Sequence, residues 1–125
     1  MEIISENDIK KVISKMHDSE FVDSDFSFNS DERKFILYTR DVALQGKFIQ
    51  TRAPIQSGKC FRLELSNVAR YKTNLEKLKS GKSITGVFNY IKVRDNGKKL
   101  TIISQDLRIE LELTKLAGKF EEIIG

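Results

Sequence analysis

The stretch MHDSEFVDSDFSFNSDERKFILYTRD, residues 16–41, is where helical periodicity gives way to strand periodicity. Before it, apolar residues recur about every 3.6 positions, and within it apolar and polar residues alternate with a period of about 2. It also contains the only histidine of the chain, His17. The stretch therefore predicts that a helix ends and a sheet begins here.

A helix is predicted immediately before this stretch, over residues 6–17. Ser5 and Asp8 have the spacing of a capping box, in which side chains satisfy free backbone N–H groups at the helix start. Ile4 and Ile9 occupy the positions of a hydrophobic staple. The pattern predicts one apolar stripe packed on a sheet, with lysines facing water. The stripe comprises Ile9, Val12, Ile13 and Met16, and the lysines are Lys10, Lys11 and Lys15.

Two short strands are predicted next, joined as a hairpin over residues 21–39. The first strand, residues 20–28, has one apolar face, and Phe21 falls at a bulge. Polar residues 29–32 form the turn, and the β-branched and aromatic residues 34–39 form the second strand. The apolar face of the first strand comprises Val22, Phe26 and Phe28.

The middle of the chain continues with strands and one short helix. A third strand over residues 42–51 contains Gly46 and is ended by the only proline, Pro54. A fourth strand, Lys59–Leu65, alternates regularly, so that Phe61, Leu63 and Leu65 point one way and Arg62 and Glu64 the other. Residues 75–79 form a short helix, which Asn74 caps and Gly81 ends.

The last part of the chain has a hairpin signal and a clean alternating strand. Residues 83–93 are apolar on both parities, which predicts a central strand covered on both faces. Asn96-Gly97 suits the positive φ angles of a type I′ turn, so residues 100–104 pair back across it. Leu107–Leu113 alternates leucine and isoleucine with charged residues, as in a half-buried strand. The tail, with Leu116, Phe120, Ile123 and Ile124, is predicted as a last short helix.

These elements predict an α+β fold. A capped helix followed by about seven strands without regular β–α–β alternation indicates a mainly antiparallel sheet, as a sandwich or a curved sheet, with one or two further short helices. No linker-like segment interrupts the 125 residues, so we expect a single domain over residues 1–125.

Composition predicts a soluble cytoplasmic protein. Acidic residues near the start, Glu2, Glu6 and Asp8, stand where a secretory signal has positive charge, and no apolar run nears the roughly 18 residues of a membrane span. The one cysteine, Cys60, has no partner for an intramolecular disulfide, as expected in a reducing compartment.

Catalytic and metal-binding patterns are incomplete. His17-Asp18 invites comparison with metal-dependent phosphohydrolases, but such sites need further histidines, and zinc needs more soft ligands than one His and one Cys. We expect His17 to cap the helix C-terminus. Cys60 opens a strand where a small buried apolar residue is expected, which argues against a nucleophilic Cys60/His17 pair. We therefore predict no catalytic residue, no metal site and no cofactor.

The remaining polar motifs have simpler interpretations. The carboxylates of residues 18–25 lack the spacing of a calcium loop and are expected to be solvated on a strand face. They are Asp18, Glu20, Asp23 and Asp25. Gly58-Lys59 and Gly81-Lys82-Ser83 lack the preceding glycine of a phosphate-binding loop.

Charge is distributed unevenly along the chain. Residues 1–44 hold six Lys or Arg against ten Asp or Glu, residues 45–99 hold thirteen against three, and residues 100–125 hold three against five. Either the segments neutralise one another after folding, or the basic middle segment contacts an acidic partner or nucleic acid.

Nucleic-acid binding is supported by aromatic residues among those cations, which would serve as stacking platforms. The aromatic residues are Phe48, Phe61, Tyr71, Phe88 and Tyr90. Against it, alternation points Phe61 away from Arg62, and neither the motif of an RNA-recognition sheet nor a helix-turn-helix pattern is present.

A family resemblance favours protein binding instead. The helix followed by His17-Asp18-Ser19 and the hairpin of residues 20–39, and more loosely residues 61–68, resembles small uncharacterised bacterial proteins, some of them similar to immunity proteins of toxin–immunity systems. The resemblance implies a non-catalytic inhibitor that occludes a toxin through a charged surface. Because the middle segment is basic, the partner would be acidic, or a toxin other than a nuclease.

We therefore predict a binding protein and not an enzyme, with an acidic partner protein first and nucleic acid as the alternative. The oligomeric state stays open. The predicted contact residues are cations of the middle segment. They are Lys59, Arg62, Arg70, Lys72, Lys77, Lys79, Lys82, Lys92 and Arg94.

Overall fold

A computed structural model describes residues 1–40, 59–74, 85–105 and 107–124. Over these ranges the chain forms one α-helix, two 3₁₀ turns and eleven β-strands. The helix α1 spans Glu6–Met16, and the 3₁₀ turns span Asp23–Asp25 and Asp95–Gly97. The strands are β1 Glu2–Ile3, β2 Glu20–Val22, β3 Phe26–Asn29, β4 Lys34–Arg40, β5 Lys59–Leu65, β6 Val68–Thr73, β7 Thr85–Val87, β8 Tyr90–Arg94, β9 Lys99–Ser104, β10 Leu107–Leu113 and β11 Gly118–Ile124.

The described strands form two antiparallel sheets. Sheet A has the order β1-β11-β5-β4-β2-β7, with β3 also paired to β4, and sheet B has the order β6-β10-β9-β8. The mainly antiparallel α+β fold predicted from the sequence is confirmed, although the described residues alone hold more strands than expected.

One apolar core joins the inner faces of the two sheets and the helix. Phe28 of β3 stacks on Tyr71 of β6 with ring centroids 5.1 Å apart, which ties sheet A to sheet B. Phe61 and Phe120 stack at 5.7 Å on neighbouring strands of sheet A. From the helix, Ile9, Val12 and Met16 are buried in the same core. The predicted apolar stripe therefore packs as expected.

The helix start follows the predicted capping box, but the staple is wrong. The Asp8 carboxylate accepts hydrogen bonds from the backbone N–H of Ile4 at 2.9 Å and of Ser5 at 3.1 Å. Ile4 is 73% exposed, whereas Ile3 is fully buried and pairs with β11 as part of β1. The chain therefore enters the helix from a strand, which turns Ile3 inward and Ile4 outward.

The segment between helix and hairpin contains a parity change that the sequence pattern concealed. Phe21 is 1% exposed and Val22 is half-buried, the reverse of the predicted facing. The 3₁₀ turn Asp23–Asp25 separates β2 from β3 and resets the alternation, so that Phe26 is again buried. The hairpin of β3 and β4 is confirmed, with Phe28 opposite Phe35.

The predicted central strand over residues 83–93 is wrong in its described part. It is two strands: β7 pairs with β2 in sheet A, and β8 pairs with β9 in sheet B. Between them, the backbone N–H of Phe88 donates to Ser19 O at 2.8 Å and Phe88 O accepts from Asp18 N at 3.0 Å. Apolar residues fall on both parities because the chain crosses from one sheet to the other, and the face that meets the core changes at the crossing.

The predicted C-terminal helix is also wrong, because residues 118–124 form strand β11 between β1 and β5. A Cβ added to Gly118 would overlap the carbonyl oxygen of Glu64 on β5. Gly118 thus permits a close approach of two strands. The strand pairing therefore requires a glycine at this position.

Other predictions divide between confirmed, missed and outside the described residues. Lys59–Leu65, Leu107–Leu113 and the hairpin at Asn96-Gly97 are confirmed, and both turn residues have positive φ. Strand β6 was not predicted. The strand over residues 42–51 and the helix over residues 75–79 lie outside the described residues.

Candidate binding surface

The outer face of sheet B brings together basic residues from all four of its strands. Strict alternation buries Leu107, Ile109 and Leu111 and turns the intervening charged residues of β10 outward. The same alternation on the neighbouring strands exposes basic side chains beside them. The cations of this outer face are Arg70, Lys72, Lys92, Arg94, Lys99 and Arg108, and its carboxylates are Glu110 and Glu112.

Strand register arranges these residues in rows across the sheet. One row runs Arg94, Lys99, Glu112 and Arg70 from β8 to β6. The next row runs Lys92, Thr101, Glu110 and Lys72. A third row runs Tyr90, Ile103 and Arg108, so the cations of β8 and β9 are followed by an apolar pair with one more cation beyond it on β10.

A shallow concavity of about 470 Å³ lies over these rows. Its wall combines four cations and two carboxylates with apolar surface of comparable extent, so it offers both charged and apolar contacts. The lining residues are Arg70, Tyr71, Lys72, Arg94, Lys99, Leu100, Thr101, Glu110, Leu111 and Glu112.

The two sides of this face differ in charge pairing. On the β6 side, Arg70 Nη1 lies 3.6 Å from Glu112 Oε2, and Lys72 is directly opposite Glu110. On the β8 side, Arg94 is directly opposite Lys99, a pair of like charges, and Lys99 has Glu112 opposite it on β10. Positive charge is therefore more completely neutralised near β6 than near β8.

Arg62 and Lys59 belong to the other sheet. Arg62 points from the outer face of sheet A, where its Nε donates to Tyr38 Oη at 3.1 Å and its Nη2 donates to Glu64 Oε1 at 2.9 Å. The hydrogen bonds that Arg62 donates to Tyr38 and to Glu64 raise the pKa of Arg62 above its usual value. With its side chain 21% exposed and already paired, Arg62 is not part of the sheet B surface.

Of the predicted contact residues, Arg70, Lys72, Lys92 and Arg94 are brought together, and Lys77, Lys79 and Lys82 lie outside the described residues. The sequence missed Arg108, Glu110 and Glu112 as members of the surface and left Lys99 out of the contact set. Alternation in Leu107–Leu113 already pointed Arg108, Glu110 and Glu112 outward, but only the register shows which strands lie beside them.

The proposed stacking platforms are largely unavailable to a ligand. Phe61 and Phe88 are 2% and 0% exposed, and Tyr71 is half-buried against Phe28. Burial raises the pKa of the Tyr71 hydroxyl above its usual value. Tyr90 is 52% exposed, and Phe48 lies outside the described residues.

The residues considered for catalysis, His17, Asp18 and Cys60, lie at a helix end, in a turn and on a strand. His17 is the C-cap residue of α1, as predicted, and its Nδ1 lies 3.1 Å from Asp18 Oδ2. Asp18 follows with a φ of 69°, which turns the chain toward β2. Cys60 is not buried as expected: it has intermediate exposure on the outer face of sheet A, because Phe61 beside it takes the inward position.

The carboxylate at Asp25 is also not solvated as expected. It accepts a hydrogen bond from Val22 N at 2.9 Å and from Arg40 Nη1 at 2.9 Å, and its side chain is 12% exposed. The hydrogen bond from Arg40 to Asp25 raises the Arg40 pKa. Across residues 1–40, 59–74, 85–105 and 107–124, no group of three or more His, Cys, Asp or Glu is placed to hold a metal ion.

Within the described part of the chain, no helix combines the length and the apolar character needed to span a membrane.

Comparison with protein-family models, with curated proteins and with solved structures finds nothing that matches this chain.

Proposed function

We propose that this protein is a non-catalytic binding protein of the immunity type, which recognises an acidic partner protein through the outer face of sheet B. One observation supports this most directly: four strands of different sequence position place six cations and two carboxylates on a single face. Complementary charge on a partner would steer association and fix its orientation.

The mixed charge of this face favours protein over nucleic acid. Glu110 and Glu112 lie between the cations of β6 and those of β8 and β9, where a polyphosphate backbone would be repelled. Single-stranded nucleic acid also needs stacking platforms, and of the aromatic residues considered for that role in the described ranges, Tyr90 is the most exposed. A partner protein can present both acidic and basic side chains, so it can complement the cations of this face as well as Glu110 and Glu112.

The inhibitory role rests on the sequence resemblance. The helix, the His17-Asp18-Ser19 step and the β3–β4 hairpin are the features that resemble immunity-like proteins. An inhibitor of this kind needs a stable scaffold and a charged surface but no active site. A partner toxin with an acidic surface is the expected target.

The test is capture of a partner with three versions of the protein. The wild type is compared with a surface variant, Arg70→Glu, Lys72→Glu, Lys92→Glu and Arg94→Glu, and with a control that reverses cations elsewhere, Lys10→Glu, Lys11→Glu, Lys34→Glu and Lys119→Glu. We expect an acidic protein that the wild type and the control retain and the surface variant loses. Co-expression with the wild type should relieve the toxicity of that protein.

Two outcomes would refute the proposal. A partner held equally by the surface variant would place binding elsewhere on the molecule. Recovery of nucleic acid in place of protein, with binding that falls steeply between about 50 and 200 mM salt, would support the alternative function.

A further inference from the structure

The β8–β9 side of sheet B contains a like-charge pair that folding alone does not favour. Arg94 and Lys99 are directly opposite each other, and Lys92 lies two residues along β8 on the same face. Directly opposed side chains of an antiparallel pair have Cβ atoms about 4.5–5.5 Å apart, a distance at which like charges destabilise the sheet. Among the described residues, no carboxylate forms an ion pair with Lys92, Arg94 or Lys99.

The β6 side of the same face is arranged differently. Arg70 is paired with Glu112 at 3.6 Å, and Lys72 stands opposite Glu110. Neither outward cation of β8 has a carboxylate directly opposite it, whereas Lys99 of β9 has Glu112 opposite it on β10. A negatively charged group of a partner would therefore be bound most favourably beside the cations of β8.

The apolar pair next to these cations adds a second element of recognition. Tyr90 and Ile103 are directly opposite on the same face, and Tyr90 is 52% exposed. Along β8 the outward residues are thus Tyr90, Lys92 and Arg94, an aromatic ring followed by two cations. Alternate residues of a strand are roughly 6.6 Å apart, so a partner in an extended conformation can match all three positions.

We propose that the β8–β9 half of the surface binds an extended acidic segment of the partner protein, in which an apolar residue and two Asp or Glu residues occupy alternate positions. The inference rests on the proposed function and specifies which half of the surface makes the anionic contact. The two carboxylates lie over Lys92, Arg94 and Lys99, and the apolar side chain packs on Tyr90 and Ile103. Glu110 and Glu112 border this site and disfavour further negative charge toward β6.

The test uses synthetic peptides as the probe. A fluorescent peptide of about nine residues carries Leu, Glu and Glu at alternate positions, and a scrambled peptide of the same composition places the two Glu side by side. Binding is measured by anisotropy at about 50 mM salt. The protein versions are the wild type, Lys92→Glu/Arg94→Glu, Lys92→Gln/Arg94→Gln and the matched control Arg70→Glu/Lys72→Glu, each checked for folding by circular dichroism.

We expect the alternating peptide to bind the wild type more tightly than the scrambled one. Both β8 variants should weaken it at least about ten-fold, and the β6 control less than about three-fold. Tyr90→Ala should reduce the affinity for the Leu-containing peptide but not for a peptide with Ser in place of Leu.

Other results would overturn this inference. Equal losses in the β6 and β8 variants would leave the proposed surface intact while removing its division into halves. Absence of peptide binding to the wild type would refute the acidic segment, whereas the proposed function is judged separately by partner capture. Tighter binding of a short single-stranded DNA than of the peptide, lost in the β8 variants, would assign the site to phosphates.

Discussion

Single residues in this protein are constrained by backbone contacts more often than by chemistry. Gly118 lets β11 approach the carbonyl of Glu64, and Gly97 has a φ of 87° beside Leu116 in the β8–β9 turn. His17 ends the helix, and Asp25 holds Val22 and Arg40. These four positions support the fold and make no use of the reactivity of their side chains.

Gly118→Ala should destabilise the protein strongly. The new Cβ meets main-chain atoms of Glu64, which can move only if β5 and β11 separate. We expect a loss of about 2 kcal/mol or more in the free energy of unfolding, measured by urea denaturation. Ala117→Gly, one residue away, serves as a control for the flexibility of the segment. A change below about 0.5 kcal/mol at Gly118 would show that the two strands are not in this close contact.

Neighbouring isoleucines should respond very differently to truncation. Ile3 is fully buried and Ile4 is 73% exposed. Ile3→Ala should lower the free energy of unfolding by about 2–5 kcal/mol because it leaves a cavity, and Ile4→Ala should change it by less than about 0.5 kcal/mol. Urea unfolding of the two variants tests the pairing of β1 with β11. A larger loss of stability in Ile4→Ala than in Ile3→Ala would indicate that Ile4 packs on the helix as a hydrophobic staple.

The capping carboxylate should make the helix start sensitive to acid. The hydrogen bond from the Ile4 N–H, with further ones from Ser5, holds the pKa of Asp8 below its ordinary value of 3.8. Its stabilising effect is therefore present above about pH 3.8 and is lost as the pH falls through the lower folded-state pKa. The stability difference between the wild type and Asp8→Asn should shrink in acid. Glu6→Gln, which removes the same charge from the same turn, provides the control, and an NMR titration of Asp8 measures the pKa directly.

At the scale of elements, β8 differs from β6 because neither of its outward cations, Lys92 and Arg94, has a carboxylate directly opposite it, whereas both cations of β6 do. Functional surfaces commonly keep charges that folding would not select. The same strand makes the crossing to sheet A through Phe88 and Asn89. It therefore connects the core to the proposed site.

Arg94→Glu should stabilise the free protein while weakening binding. The substitution turns the Arg94–Lys99 pair into opposite charges, for which cross-strand pairs give about 0.2–1 kcal/mol. Lys115→Glu makes the same change in net charge at an exposed position outside the strands and controls for overall charge. Thermal unfolding at low salt measures the stability of both variants. A lower melting temperature for Arg94→Glu than for Lys115→Glu would contradict the like-charge pairing.

Elements were predictable where one face alone meets the core. Lys59–Leu65 and Leu107–Leu113 each stay in one sheet, so alternation identified them correctly. Residues 85–94 change sheets, so alternation wrongly predicted one continuous strand there. Residues 20–26 pass through a 3₁₀ turn, so alternation wrongly predicted that Val22 and not Phe21 faces the core. The C-terminal strand was missed because it is held by pairing with β1 and β5, which are distant in sequence.

At the scale of the whole molecule, the basic middle segment does not form a single surface. Arg62 lies on sheet A with Tyr38, whereas Arg70 and Lys92 lie on sheet B and are joined there by residues from the acidic end of the chain. Sequence can identify which side chains point outward. It cannot determine which outward side chains become neighbours, because that depends on the order of strands in each sheet.

Binding of an acidic protein should depend on salt mainly through the association rate. Exposed charges are screened over about 10 Å at 0.1 M salt, which weakens steering but affects close contacts less. We expect the association rate to fall several-fold between about 50 and 200 mM salt, with a smaller change in dissociation. Stopped-flow kinetics with the captured partner measure both rates. The four-residue surface variant should show little salt dependence, and an unchanged wild-type association rate would refute electrostatic steering.

The position of the cations on sheet B has a consequence for the free protein in concentrated solution. Arg70 and Lys72 lie on β6, and Lys92 and Arg94 lie on β8, the two outermost strands of sheet B in the described chain. Outermost strands can add strands of other molecules and so start aggregates, and basic side chains on them oppose this because two copies repel each other. The residues that we assign to recognition therefore also keep the unbound protein dispersed, and a substitution that removes the one property weakens the other.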